Sequence, residues 1–242
     1  MGALAEGPRP ASAGRVTLAG LDGTAVEAIL ARPDEGAVEA GIVLHPDVLG
    51  VRPLFDDLCR RVATHGYAVC CPEPFARFPA EVRDAGSAEA RLAHLAEFDD
   101  DLQLGDLAVA ADELRVDDVS VLGFCMGGMQ ALKAAATGRF RAAVPFYGMI
   151  RLPAQWRGPK LREPLDTAAD VCPTLGIFGD ADPFTPPADL DALRAAWADR
   201  PDCEVVVYPG AEHGFVHAPE RPAHRPDAAA DAWRRTFAFL AR

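Results

Sequence analysis

The pattern of hydrophobic and polar residues changes near Gly41 and separates two kinds of predicted structure. Before it, Val16–Leu18 and Val26–Ala31 flank the turn sequence Leu-Asp-Gly-Thr, which predicts an antiparallel hairpin at the edge of a sheet. After it, short apolar runs alternate with helical periodicity, which is typical of a mostly parallel sheet with helices on both faces. The predicted strands are residues 42–44, 67–71, 119–122, 142–146, 174–178 and 203–208, and the predicted helices lie near residues 54–64, 88–114, 129–136 and 228–240. Gly105 predicts an interruption of the long helical stretch.

Composition and charge limit the class of protein. Residues 1–14 are rich in Gly, Pro, Ala and Ser and predict a flexible tail, so residues 15–242 are expected to form one domain. The net charge of −12 argues against nucleic acid or an anionic membrane as a partner, because both require a cationic surface. No secretory signal and no apolar run of membrane-spanning length is visible, so the expected location is cytoplasmic. No C-x-x-C pair or histidine cluster suggests a metal site.

Cys125 occupies the nucleophile position of a sequence that resembles the G-x-S-x-G elbow of α/β-hydrolases. The segment Gly-Phe-Cys-Met-Gly-Gly follows a predicted strand and precedes a predicted helix, which is the context that this motif requires. The start of the helix favours a thiolate, and the amide of Met126 is expected to face a developing oxyanion. The alternative is that Cys125 is a small buried apolar residue, but the flanking glycines favour the nucleophile.

A base and an acid are expected after the nucleophile, each following a strand. His213 comes after the strand at 203–208 and is the candidate base, because the other histidines lack such a position. Asp182 comes after the strand at 174–178 and is the preferred acid. Asp180 is the alternative, since it could instead hydrogen-bond the local backbone. The sequence therefore predicts a Cys-His-Asp triad for acyl transfer.

The chain resembles the dienelactone hydrolases (carboxymethylenebutenolidases), which are single-domain α/β-hydrolases with a Cys-His-Asp triad. The segments that carry the resemblance are Gly-Phe-Cys-Met-Gly-Gly at 123–128, Gly-Asp-Ala-Asp-Pro-Phe at 179–184, Ala-Glu-His-Gly-Phe at 211–215 and Gly-Tyr-Ala-Val-Cys-Cys-Pro-Glu-Pro-Phe-Ala-Arg at 66–77. The resemblance extends from about Ile42 to the C-terminus. It implies Cys125 as the nucleophile, Asp182 as the acid and His213 as the base.

The resemblance also implies roles for residues around the triad. In the family, a glutamate after the third strand contacts the resting thiol, and the amide of the next residue helps to form the oxyanion hole. Asp47 and Val48 stand at these two positions here. Family members that act on dienelactone bind its carboxylate with arginines. Arg77 matches one of them and His217 stands where a second is expected, so both are predicted to bind substrate.

Together these features predict a cysteine-dependent hydrolase that opens a lactone or ester of a small molecule, which can be anionic, through a thioester acyl-enzyme. No cofactor is expected, and the expected partner is the small-molecule substrate. Residues 74–87 and 149–170 follow strands and are expected to shape the pocket, with Trp156 either lining it or packing in the core. The alternatives are a general carboxylesterase or thioesterase, a non-catalytic ligand-binding protein of the same fold, and a thiol-based redox sensor.

Overall fold

The structure is a computed structural model that describes residues 4–38 and 40–242. Its centre is an eight-stranded sheet with the strand order β1-β2-β4-β3-β5-β6-β7-β8. The strands are β1 (Ala11–Ala19), β2 (Ala25–Pro33), β3 (Ala40–His45), β4 (Ala68–Pro72), β5 (Asp118–Phe124), β6 (Ala143–Phe146), β7 (Thr174–Gly179) and β8 (Cys203–Tyr208). β1 and β2 form the predicted antiparallel hairpin at the edge, β2 is antiparallel to β4, and the strands from β4 to β8 are parallel.

Helices connect the parallel strands, as the alternating pattern predicts, and one more follows the last strand; the helix at residues 187–196 was not predicted. They are α1 (Pro53–Ala63), α2 (Ala80–Arg83), α3 (Ala88–Leu92), α4 (Asp100–Glu113), α5 (Met126–Ala134), α6 (Pro187–Ala196) and α7 (Pro226–Leu240). Short 3-10 helices occur at Leu95–Glu97, Ala154–Trp156 and Pro164–Asp170. No helix within the described parts of the chain is both long and apolar enough to span a membrane.

Two apolar cores cover the two faces of the sheet. Ile42 and Leu44 of β3 pack on one face with residues of α1 and α7. Val43, between them in sequence, packs on the other face with residues of α4, α5 and α6. Because neighbouring residues of a strand point to opposite faces, a strand between two helical layers must be apolar throughout. This confirms the predicted parallel sheet with helices on both faces.

The prediction of a flexible tail is wrong within residues 4–14, and its first three residues lie outside the described part of the chain. β1 begins at Ala11, inside the predicted tail, and pairs with β2 from that residue onward. Leu4 is buried, and the Gly7 amide donates a hydrogen bond of 2.6 Å to Thr64 Oγ1 at the end of α1. The sequence does not indicate this strand because the Ala, Ser and Gly residues at its start lack the bulky side chains that are typical of strands, whereas backbone pairing does not require such side chains.

The predicted interruption at Gly105 is also wrong, because α4 runs unbroken through this residue. The helical stretch is interrupted earlier, between the end of α3 and the start of α4 at Asp100. A Cβ atom on Gly105 would lie 2.8 Å from the Cβ atom of Leu21 in the β1–β2 turn. The glycine therefore allows the hairpin to pack closely against α4.

Candidate active site

Cys125 lies at the turn between β5 and α5, where the motif predicted it. Its backbone has φ 60° and ψ −120°, a conformation that costs energy in a residue with a side chain. A Cβ atom on Gly123 would lie 1.9 Å from the carbonyl oxygen of Gly127, so any side chain at position 123 would collide with the first turn of α5. The Cys125 amide donates a 3.1 Å hydrogen bond to the Phe146 carbonyl in β6. The thiol is consequently presented, partly exposed, at the carboxyl edge of the sheet.

His213 and Asp182 meet at the same edge of the sheet, from the loops after β8 and β7. His213 Nδ1 lies 2.8 Å from Asp182 Oδ2, and Asp182 Oδ1 accepts a 2.8 Å hydrogen bond from the Phe184 amide. The Nε2 atom of His213 is buried, and no hydrogen-bond partner for it exists among the residues that the structure describes. An imidazole held at Nδ1 and open at Nε2 can exchange a proton with Cys125 or with a water molecule.

Aromatic rings hold His213 from two sides. The Tyr147 and Phe184 rings both approach it edge-on, with centroids 5.3 and 4.9 Å away. Burial lowers the pKa of His213, but the neighbouring Cys125 sulfur and the hydrogen-bonded Asp182 carboxylate outweigh burial and raise it to about 10. These contacts therefore favour the protonated form of the His213 imidazole.

Asp180, the alternative acid, makes a different contact. Its Oδ1 atom accepts a 2.6 Å hydrogen bond from the amide of Gly210, in the turn before His213. This contact joins two neighbouring loops and leaves Asp182 as the carboxylate that reaches the imidazole.

Two backbone amides near Cys125, those of Met126 and Val48, have no hydrogen-bond acceptor among the described residues. Met126 begins α5, so its amide has no partner within the helix. Val48 lies in the loop after β3, and its amide donates to no acceptor within the described residues. A Cβ atom on Gly127 would lie 2.3 Å from the carbonyl oxygen of His45, which shows how closely α5 packs against that loop. Val48 and Cys125 line the same pocket, and Met126 directly follows Cys125 in the chain.

The predicted contact between Asp47 and the thiol is absent from the hydrogen bonds of the described residues. Oδ1 of Asp47 accepts from the Leu49 amide at 2.9 Å and from Arg52 at 2.6 Å. Oδ2 accepts from Arg52 at 2.8 Å and lies 2.7 Å from Nε2 of His217. Burial raises the pKa of Asp47, but the hydrogen bonds from His217 and Arg52 outweigh it and hold the pKa well below its usual range. Both oxygens are therefore occupied by other partners.

His217 does not contact the pocket, and its predicted role in substrate binding is wrong. The residue is 0% exposed, and its Nδ1 atom lies 2.5 Å from the Tyr147 hydroxyl. Its other nitrogen faces Asp47, so the two positions that depart from the family pattern contact each other. Neutral His217 satisfies this arrangement, with Nε2–H donating to Asp47 and the Tyr147 hydroxyl donating to Nδ1.

Burial of His217 predicts acid sensitivity of the fold. Burial lowers the pKa of His217 below its ordinary 6.5, although Asp47 opposes this. Below pH 6.5, His217 is protonated in the unfolded chain but stays largely neutral in the folded protein. The free energy of unfolding should therefore fall with decreasing pH, by at most about 1.4 kcal/mol per pH unit for this group.

Urea denaturation between pH 7.5 and 5 tests this expectation. The free energy of unfolding should fall less steeply with decreasing pH in His217→Gln than in the wild type. An unchanged slope in His217→Gln, or an equal change in a His65→Gln control, would contradict this expectation.

Arg77 is not among the residues that line the pocket around Cys125, so its predicted contact with substrate is wrong. Its guanidinium binds Asp106 of α4 and, at 2.8 Å, Asp22 in the β1–β2 turn. Two carboxylates thus hold the side chain at the β1–β2 turn, which lies beside the carboxyl end of β4 but outside the pocket around Cys125. The pocket instead contains two arginines that no motif indicated, Arg52 and Arg221.

The pocket around Cys125 has a volume of about 410 Å³ and mostly apolar walls. Its lining residues are Asp47, Val48, Leu49, Arg52, Ala88, Leu92, Cys125, Met149, Trp156, Phe184, His213, Glu220 and Arg221. Met149 and Trp156 belong to the segment 149–170, which was expected to shape the pocket, and the Trp156 ring stacks on Phe184 at 5.6 Å. The segment 74–87 contributes none of the lining residues. Across the described chain, no group of three or more His, Cys, Asp or Glu residues is placed to hold a metal ion.

The sheet order, the elbow at Cys125 and the loops that carry Asp182 and His213 define an α/β-hydrolase. The Dienelactone hydrolase family matches residues 26–242, and the chain belongs to this family. It is therefore a hydrolase of the dienelactone hydrolase type, as the motifs predicted.

Individual proteins support this assignment. A "Putative carboxymethylenebutenolidase" of Methylorubrum extorquens is 34% identical over 236 residues, which cover 92% of this chain and 78% of that protein. The "Carboxymethylenebutenolidase" of Rhodococcus opacus is 31% identical over 206 residues, covering 83% of this chain and 80% of that protein. Among solved structures, the "Putative Dienelactone Hydrolase" from Klebsiella pneumoniae has a TM-score of 0.86 and 28% identity, and the match covers 96% of this chain and 99% of that one.

Proposed function

We propose that the protein hydrolyses a lactone or ester of a small molecule through a thioester on Cys125. The observation that carries this proposal is the state of His213: one ring nitrogen is bound to Asp182, and the other is buried and unpartnered among the described residues, in the pocket that contains the thiol. A purely structural histidine would have both nitrogens satisfied.

The proposed reaction has two steps. The Cys125 sulfur attacks the carbonyl carbon, and the amides of Val48 and Met126 bind the oxyanion. The tetrahedral intermediate collapses when the C–O bond breaks, and His213 Nε2–H gives its proton to the leaving oxygen. In a lactone this oxygen stays attached to the acyl group. His213, now neutral, then takes a proton from water, the hydroxide attacks the thioester, and the products are the carboxylic acid and the restored Cys125–His213 pair.

Trapping the acyl-enzyme tests the proposal. Purified protein is mixed with a dienelactone or with a neutral aryl ester, quenched in acid within the first turnover, and digested for mass spectrometry. The expected adduct is on the peptide that contains Cys125, and Cys125→Ala should lack both the adduct and the turnover. Cys203→Ala, which removes another partly exposed thiol, should retain both. Turnover that persists in Cys125→Ala would refute the thioester. No turnover in the wild type would favour the ligand-binding or redox-sensor alternatives.

The charges in the pocket indicate how an anionic substrate would be bound. Both terminal nitrogens of Arg52 bind Asp47, so that guanidinium is already neutralised. Arg221 makes no ion pair with any described residue, and its Nη1 atom lies 2.5 Å from where a Cβ atom on Gly214 would be, directly beside His213. Arg221 is therefore the available cation, with Glu220 at the same rim of the pocket. We propose that Arg221, rather than Arg77 or His217, binds the negative group of a substrate.

Arg221→Gln should reduce the preference for anionic substrates. For an ester that carries a carboxylate, kcat/KM should fall roughly 10-fold, which is the low end for an exposed charged hydrogen bond. For the neutral ester of the same alcohol, kcat/KM should change less than about twofold, since that substrate offers the guanidinium no charge. Arg225→Gln is the control, because Arg225 pairs with Glu212 and is not among the residues lining the pocket. An equal loss for both esters in Arg221→Gln would contradict this role. A wild type that prefers the neutral ester would favour a general carboxylesterase.

A further inference from the structure

The loop after β3 leaves one amide open. Among residues 48–51, only Val48 lacks an acceptor within the described chain. The other three amides are bound: Leu49 donates to Asp47 Oδ1 at 2.9 Å, Gly50 to the Asp47 carbonyl at 2.9 Å and Val51 to Glu73 Oε2 at 2.7 Å. A buried amide without a partner costs free energy unless a ligand or water binds it. The loop is therefore built to present the Val48 amide.

Glu73 is the distant anchor of this loop. It follows β4, between two prolines, and its side chain is 6% exposed. Besides the Val51 amide, its carboxylate accepts a 3.0 Å hydrogen bond from the Phe75 amide. Burial raises the pKa of Glu73, against the effect of these hydrogen bonds and of Arg91. A carboxylate so deeply buried requires a cation to stay charged.

Arg91 supplies that cation from α3. Its side chain is 7% exposed, and its Nη1 atom lies 3.4 Å from Glu73 Oε1 and donates to the Val48 carbonyl at 3.4 Å. The guanidinium also lies over the Phe75 ring, 4.9 Å from its centroid. Within this ion pair, Arg91 thus contacts the Val48 carbonyl and Glu73 contacts the Val51 amide.

The loop rests directly on this ion pair. Gly50 has φ +66°, and a Cβ atom there would lie 2.4 Å from Glu73 Oε2 and 2.5 Å from Arg91 Nη1. Ala88 and Leu92, on the same helix as Arg91, line the pocket. Arg91 therefore links a pocket wall to the loop that carries the free amide.

We propose that Glu73 and Arg91 are positioning residues that hold the Val48 amide toward the oxyanion. Neither contacts the reacting atoms. They act by restraining both ends of the segment 48–51, so that its free N–H does not have to reorient during the reaction. This inference rests on the proposed hydrolysis, because it concerns the transition state of that reaction.

Comparison of two reactions of Cys125 tests the role. Ester hydrolysis forms an oxyanion, whereas alkylation by iodoacetamide displaces iodide at a tetrahedral carbon and forms none. Glu73→Gln and Arg91→Met are expected to lower kcat on the order of 10- to 100-fold. This loss does not exceed the effect of removing an oxyanion-hole donor altogether. KM should change less than about threefold. The alkylation rate of Cys125 should stay within about twofold of the wild type. Arg91→Lys should recover part of kcat, since it restores the charge.

Lys133→Met is the matched control. Lys133 and Asp100 form another buried ion pair, 2.9 Å apart, between α5 and α4. Its loss should lower the melting temperature about as much as the loss of the Glu73–Arg91 pair, and kcat should change less than about twofold. A wild-type kcat in Glu73→Gln and Arg91→Met, or a parallel loss of kcat and alkylation, would overturn the positioning role.

Hydrogen exchange separates this inference from the proposed function. Amide exchange in a peptide covering residues 47–52 should be faster in Glu73→Gln and Arg91→Met, and unchanged in Lys133→Met. If Cys125→Ala retains turnover, the thioester mechanism fails, and the exchange measurement alone then decides whether the pair holds the loop. Wild-type exchange in both variants would refute it.

Discussion

Replacing His213 with alanine should lower kcat/KM for ester or lactone hydrolysis on the order of 10⁴-fold or more. His213 is expected to act twice, as the acid that protonates the leaving oxygen and as the base that activates water. Its Nε2 atom is buried, so bulk water cannot easily take over these proton transfers in the variant. The variant loses both functions at once, so both steps of the reaction should slow. Steady-state kinetics on the neutral aryl ester would measure the loss.

Two further measurements make the His213 result specific. His65→Ala removes a histidine that stacks on Phe237 at 4.1 Å, away from the pocket, and it should leave kcat/KM unchanged. Alkylation of Cys125 should persist in His213→Ala, more slowly than in the wild type. Hydrolysis lost while the thiol stays reactive would identify a hydrolase. A variant that keeps more than about a tenth of the turnover would show that another group serves as the base.

The three candidate catalytic residues could be located from the sequence because the fold brings the loops that carry them to one edge of the sheet. Cys125, Asp182 and His213 each follow a strand of a parallel sheet, and the carboxyl ends of such strands lie at one edge. The hydrophobic pattern predicts the strands, so it also predicts that the loops after them lie at this edge. The elbow needs glycine at position 123, which makes its signal stronger than the cysteine alone.

The residues that we propose to bind substrate could not be predicted in the same way. A long side chain such as Arg77 can point in several directions, and the choice depends on partners that tertiary structure supplies, here Asp22 and Asp106. Arg221 belongs to no strand or motif, and its position beside His213 follows from the path of the loop before α7. Sequence position indicates which edge of the sheet a loop occupies, but not which cation remains unpaired.

Asp47 and His217 illustrate a different limit. Each departs from the family pattern, and considered alone each would suggest a weakened site. In the structure they are partners at 2.7 Å in a buried arrangement that also includes Arg52 and Tyr147. The departures are therefore coupled. Only contact information could show this, because 170 positions separate the two residues in the chain.

Replacing Asp182 with asparagine should lower kcat on the order of 10³- to 10⁴-fold while the fold stays intact. The carboxylate accepts a hydrogen bond from His213 Nδ1–H, so the proton stays on Nδ1 and Nε2 is free to accept one from water. An asparagine can present its NH₂ group to Nδ1, which favours the tautomer with the proton on Nε2. Loss of the negative charge should also lower the pKa of His213, which Asp182 helps to raise. A carbonyl oxygen at position 182 can still accept the hydrogen bond from the Phe184 amide, so the loop should be preserved.

Asp180→Asn is the matched control for this prediction, since the two residues lie on one loop and undergo the same change. The amide oxygen of asparagine can keep the hydrogen bond from Gly210, and kcat should change less than about twofold. Parallel kinetics on one ester, with melting temperatures to verify folding, would compare the two variants. A large loss in Asp180→Asn with little loss in Asp182→Asn would reverse the assignment of the acid. Equal losses would indicate that activity depends on the conformation of the loop that carries both carboxylates. The negative charge beside His213 would then matter less than that conformation.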